Sequence, residues 1–290
     1  MRWLVAICFA GCGAAPTFTT SQSCGTCHAP QRAEWETSAH ARSDRTPAFI
    51  ALLPRVDAEW GASARARCEG CHAPGHGDTH AIGCASCHLA TGNRGTANGA
   101  LEVRLDAPVS TVRSVNAPHA TTQRGFLQAS ELCGTCHDVR GPGLLDEPTF
   151  TEFQATNPPV GTTCISCHVS SGHGFEVSDG LTLERTELAV QVRNDGARHR
   201  IPTGMAAMRD IWVDVTIEDE AGRRTEAARV IELGAELDAP LFIDATFIRP
   251  RGLQFGESRS WSPPDGSRIV DARLQRRRIR DAARQVLGLE

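Results

Sequence analysis

Strict alternation of apolar and polar positions is confined to the C-terminal part of this chain. Ile211-Trp-Val213-Asp-Val215-Thr-Ile217 alternates cleanly and ends at the turn-forming Glu220-Ala-Gly222. Leu183 to Val192 alternates over its second half, and Arg229–Leu237, Leu253–Trp261 and Ile269–Gln275 read as further strands. Their spacing predicts a small, mainly antiparallel β-sandwich of about a hundred residues. Upstream, long apolar runs are scarce while Gly, Pro, Ala, Thr and Ser are common. A helix is predicted over Gln31–Arg42, and others should lead into Cys68, Cys133 and Cys164. The pattern therefore divides the chain into a leader (1–22), an N-terminal α/irregular domain (23–178) and a β-sandwich-like domain (179–290).

The irregular domain has too few large side chains for an ordinary core, and its cysteines supply the reason. Five pentapeptides share one form: Cys24-Gly-Thr-Cys27-His28, Cys68-Glu-Gly-Cys71-His72, Cys84-Ala-Ser-Cys87-His88, Cys133-Gly-Thr-Cys136-His137 and Cys164-Ile-Ser-Cys167-His168. This is the attachment sequence for haem c, in which two thiols bond the porphyrin and the adjacent imidazole becomes the proximal iron ligand. A zinc knuckle or a dithiol redox pair would not need a His after the second Cys in every copy. The expectation is five covalently attached haems, with the porphyrins standing in for the missing core.

Ten of the 12 cysteines are thereby used, leaving Cys8 and Cys12 in the leader. Arg2 followed by the apolar run Trp3–Ala10 reads as an export signal too short to span a bilayer. Phe9-Ala10-Gly11-Cys12 has the form of a lipobox, with Cys12 as the lipidated residue, and ordinary signal cleavage near Ala14-Ala15 is the alternative. The expected location is the periplasm or outer membrane, with any membrane attachment through the lipid. All 30 basic residues are Arg, Tyr is absent, and the formal charge is -4. Nothing in this distribution resembles a nucleic-acid footprint.

A haem iron takes two axial ligands, and six histidines lie outside the motifs: His40, His76, His80, His119, His173 and His199. They are the candidate distal ligands. His76 and His173 stand too near their own motifs to wrap around a porphyrin edge, and a helical His28–His40 stretch would hold those two rings about 18 Å apart. All three should serve other haems. The second and third motifs are joined by a short bridge and are expected to form a close pair, with His76 or His80 as the spare. Met205 and Met208 are the only thioether candidates outside the leader, in a segment reading as a turn entering a strand.

Cys24-x-x-Cys27-His28 followed by Glu34-Trp35-x-x-Ser38-x-His40 resembles the opening of multihaem c-type cytochromes related to the nitrifier tetrahaem cytochrome. Pro118-His119 ahead of Cys133, and Thr149-Phe150-x-Glu152-Phe153 ahead of Cys164, are similar to further stretches of that family. Asn194 followed by His199-Arg-Ile-Pro202-Thr-Gly204 resembles a signature of a β-rich extension, with Arg198 where that signature has Gly. The resemblance implies that His40 ligates another haem, and that His199 reaches back to a haem or to the haem-domain face.

Bis-histidine irons have no open position, so the chain reads as an electron carrier between redox partners such as other cytochromes or quinol-linked complexes. Two alternatives stand beside it. One is a reductase or oxidase of a small nitrogen or sulfur species with one five-coordinate haem. The absence of Lys and Tyr excludes Lys-ligated and Tyr-cross-linked catalytic haems. The other is a docking module in which the β domain meets a partner, with the basic run Arg273, Arg276, Arg277, Arg278, Arg280 and Arg284 as a candidate surface. The alternative role for that run is a solvated strand end and helix, and for the β domain a cap without chemistry.

Overall fold

A computed structural model describes residues 19–76, 81–170, 172–175 and 180–289. Cys8, Cys12, the leader up to residue 18, His80 and the expected boundary near residue 178 lie outside the described residues.

The N-terminal half is a set of short helices: α1 (Ser21–Gly25), α2 (Ala29–Thr37), α3 (Pro47–Trp60), α4 (Ala62–His72), α5 (Cys84–His88), α6 (Ser130–Gly134), α7 (Thr149–Ala155) and α8 (Cys164–His168). The helix expected over Gln31–Arg42 instead stops at Thr37. Ser38 turns extended there, and its buried hydroxyl accepts the Ala41 N–H, starting a separate 3-10 turn over His40–Arg42. This capping bond competes with helix continuation. The longest of these helices, α3, starts at a Thr46 cap with Pro47 in its first turn and ends at Gly61, whose φ of 78° suits glycine. α4 runs straight into the second motif and α6 into the fourth. The fifth motif begins its own helix, since α7 ends well before it.

The α/irregular expectation missed three two-residue to four-residue ribbons. β1 (Ala90–Asn93) pairs with β2 (Leu101–Val103), β3 (Val109–Thr111) runs parallel to β4 (Thr121–Gln123), and β5 (Val139–Arg140) pairs with β6 (Asp146–Glu147). Segments this short carry no periodicity that a sequence can display.

The C-terminal half holds β7 (Leu181–Arg185), β8 (Val190–Asn194), β9 (Asp210–Asp219), β10 (Arg224–Leu233), β11 (Ala235–Leu237), β12 (Ile248–Pro250), β13 (Ser258–Trp261), β14 (Ser267–Arg277) and α9 (Asp281–Leu287). They form open antiparallel sheets, three-stranded in the orders β10-β9-β14 and β13-β8-β7, with a β11-β12 ribbon. Val190, Val192, Val213 and Ile269 are fully buried in one cluster that both three-stranded sheets supply. The expected Arg229–Leu237 strand begins earlier, at Arg224, and breaks at Gly234, whose φ of 135° and close approach to the Arg209 carbonyl need the absent Cβ. Of Leu253–Trp261 only the last four residues are strand, Leu253 bridging instead to Ile201.

The halves meet through a second cluster, where Leu52, Val56 and Ala64 of α3 and α4 pack with Met208, Leu241, Phe242, Ile243 and Ala283. Among the described residues no helix is long and apolar enough to cross a membrane.

Candidate haem-iron sites

Each motif is wound as one helical turn, which puts the two sulfurs and the imidazole on one side. The His28 and His137 N–H groups each donate to the carbonyl of the first Cys of their motif, both at 2.9 Å. Two motifs are then capped by a second motif. The Cys84 N–H donates to Ser21 Oγ at 3.0 Å, and the Cys164 N–H to Ser130 Oγ at 3.1 Å. Both serines are buried and sit three residues before the first Cys of their own motifs. Motif one is thus joined to three, and four to five. The Cys71 and Cys136 sulfurs lie side by side, as do those of Cys133 and Cys164, so the fourth motif also approaches the second. Sequence spacing pointed to a close second–third pair, and these contacts add a second–fourth one.

Four imidazole pairs face one another across this framework. Ring centres are 6.3 Å apart for His28–His119 and 6.2 Å for His40–His137, His88–His173 and His168–His199. Imidazoles on opposite sides of one metal, with metal–nitrogen bonds of about 2 Å and each ring centre about 1 Å further, would stand about 6 Å apart. In every pair one ring belongs to a motif and the other does not. The donor set and spacing therefore fit a bis-imidazole iron in four places. Ring planes are inclined by 59° and 60° in the first two pairs, but by only 24° and 19° in the last two.

His72 differs. Its ring stacks on Phe49 at 4.3 Å, and no second imidazole faces it among the described residues. Nearby His76 has a buried Nδ1 without a hydrogen-bond partner. Met208 lies in the apolar seam between the halves with Met205 packed beside it, which makes both core residues rather than candidate ligands.

The ring nitrogens are set up for metal binding. His72 Nδ1 lies 2.9 Å from the Ser43 carbonyl, His88 Nδ1 2.9 Å from that of Ser110, and His199 Nδ1 3.0 Å from that of Arg200. A carbonyl can only accept, so Nδ1 carries the proton and Nε2 keeps its lone pair. Burial, followed by the surrounding imidazoles, pushes His40 and His137 down to about 4, so both are neutral at pH 7. His137 lies deep in the chain, among His40, His168, His72 and His199, yet its ring is exposed.

His199 comes from the β half, held from both sides. Asn194, fully buried, donates from Nδ2 to the carbonyls of His199 (2.8 Å) and Leu253 (3.0 Å). From the haem half, Glu152 on α7 accepts the Arg200 N–H at 2.9 Å and pairs with its guanidinium at 3.2 Å. Glu147 accepts the Ala206 N–H, and Thr149 and Thr203 bond through their hydroxyls. Burial pushes Glu147 up to about 7 against the pull of the Ala206 and Met205 amides and of Arg209. α7 itself is pinned to the fourth motif, since the Phe150 N–H donates to the His137 carbonyl and the Phe150 ring lies where a Cβ on Gly134 would sit. None of the supporting serines is signalled by the sequence, because each acts across a long sequence separation.

The basic run is engaged locally. Arg273 pairs with Asp271, Arg277 pairs with Asp281 and lies over Trp212, and Arg280 donates to the Ala235 carbonyl. It forms the end of β14 and the entry to α9.

Residues 23–102, spanning the first three motifs, match the family model described as cytochrome c554 and c-prime. The fold is similar to that of a penta-heme cytochrome c552 from Thermochromatium tepidum, with a TM-score of 0.64, 19% identity, and coverage of 93% of this chain and 94% of that one. No curated protein gives a match. The family match thus covers the first three motifs, and the structural likeness shows a shared fold over nearly the whole chain.

Proposed function

We propose that the chain is a pentahaem electron carrier whose irons are held between paired imidazoles: His28 with His119, His137 with His40, His88 with His173, and His168 with His199. The supporting observation is the common 6.2–6.3 Å separation of four such pairs. Bound haem supplies a one-electron ferric/ferrous couple, and two nitrogen ligands leave no face for a reactant. The ten motif cysteines hold the porphyrins, organising the N-terminal half around five haems while the β half packs as a sandwich-like unit against it. The fourth motif serves as the junction, since it contacts the second and fifth through cysteines and lies beside the third through Cys87. Motif one joins this junction through three. Such a carrier, exported and held to the membrane by Cys12, would exchange electrons with other cytochromes or quinol-linked complexes.

The experiment is a ligand series read by electron paramagnetic resonance and by absorption of the ferric holoprotein. His119→Ala, His40→Ala, His173→Ala and His199→Ala should each convert one haem to high spin and leave the rest low-spin. A parent protein with several high-spin haems would sink this reading.

A second reading is favoured by one observation: the ring of His72 faces Phe49, with no imidazole opposite among the described residues. That iron would be the place for reductase or oxidase chemistry on a small nitrogen or sulfur species. Nitric oxide or cyanide binding to one haem of the undenatured parent supports it. Full low spin, lost on His80→Ala or His76→Ala, instead completes the carrier.

A further inference from the structure

The histidines assigned to iron differ in what their Nδ1 atoms meet. His72, His88, His119 and His199 face peptide carbonyls, of Ser43, Ser110, Ala120 and Arg200. His173 faces a carboxylate: Glu34 Oε2 lies 3.5 Å from its Nδ1 and accepts its backbone N–H at 2.9 Å. The contact is built. Gly172 has φ 129°, and a Cβ there would stand 2.6 Å from Glu34 Oε2, so the turn before His173 wraps directly onto the carboxylate. Among the described residues no arginine pairs with Glu34. The same helix, α2, also holds the opposite side of this site, because Trp35 Nε1 donates to the Ile82 carbonyl at 2.9 Å, just before the third motif. One helical turn therefore braces both the entry to His88 and the ring of His173.

We propose that Glu34 is a positioning residue for His173 that lowers the reduction potential of the iron held between His88 and His173. A carboxylate beside a ligand's second nitrogen places a negative charge near the iron, and that charge favours the more positive metal. The ferric state is stabilised over the ferrous. The event is a single electron added at that centre, supplied by an electrode or by a partner cytochrome. No bond forms or breaks at Glu34. This rests on the bis-imidazole reading above and adds to it a directional bias within the carrier: the third centre resists reduction more than its own ligand pair would make it do.

The test is a spectroelectrochemical titration of the full holoprotein carrying Glu34→Gln, with Glu34→Asp and His173→Ala beside it. Glutamine keeps an oxygen for the His173 N–H and removes the charge. One of the five one-electron steps should move positive by about tenfold in its reduction equilibrium, or 59 mV, with every haem spin state unchanged. Glu34→Asp should recover part of the shift. The inference is overturned if no step moves beyond twofold, if all five move together, or if Glu34→Gln creates a high-spin haem. His173→Ala separates the two levels. All haems staying low-spin in that variant would remove His173 as a ligand and with it the premise. One haem turning high-spin while Glu34→Gln is silent would sink only the role of Glu34.

Discussion

The two halves of this molecule reach similar order by different physics. Residues 180–289 bury a continuous apolar cluster fed by alternating positions of two sheets, with Val190, Val192, Val213 and Ile269 entirely enclosed. Among the described residues of 19–175 there is, apart from the seam, one cluster of three buried residues, Ala90, Leu127 and Leu132. Hydrophobic burial of that size cannot offset the ordering of so many residues. What replaces it is cross-bracing of one motif by another, through Ser21, Ser130 and paired imidazoles. With haem bound as proposed, stability in the first half would be binding free energy, and in the second half it is packing.

The sharpest way to break this contrast is to make the full chain without haem attachment and follow amide hydrogen exchange. The first half should lose nearly all protection while β8, β9 and β14 keep theirs. Equal protection in both halves would mean that the haem half has a sufficient core of its own.

A smaller effect sharpens the comparison from the other side. Ile269→Ala removes a fully buried side chain from the sheet cluster and should cost about 2–5 kcal/mol, seen by calorimetry as an earlier β-half transition. Because His199 rides on that half, the haem of the fifth motif should turn high-spin in the same transition. The other four should change later. Simultaneous change of all five would show the halves melting as one unit.

The seam gives the smallest effect. Glu147 is buried and raised from 4.5 to about 7, so between these pH values the folded carboxyl keeps a proton that the unfolded chain has lost. Stability therefore falls as pH rises through this window, by at most about 3 kcal/mol, and levels off above it. Glu147→Gln should flatten the profile and melt above the parent at pH 8. An unchanged melting profile would mean that Glu147 is not desolvated in solution.

Much of the β half was legible because period-two alternation is a local signal: Ile211–Ile217 lies inside β9 and Ile269–Gln275 inside β14. Its errors fall where a single residue overrides the pattern, as Gly234 does by splitting the expected strand. In the haem half, Ser38 ended a helix for a similarly local reason, and the short ribbons between β1 and β6 were below the length at which pattern means anything.

Alone, the sequence singled out the ten motif cysteines and five motif histidines as the attachment and proximal candidates, since each set lies within five consecutive residues and one turn of helix suffices to assemble it. It also supplied the pool of remaining histidines. Only the tertiary structure decided that His119 faces His28, that His40 faces His137, that the third motif sits on the first, and that a carboxylate reaches His173. Those meetings join distant segments, and what brings them together is the packing of whole elements, which no stretch of residues encodes by itself.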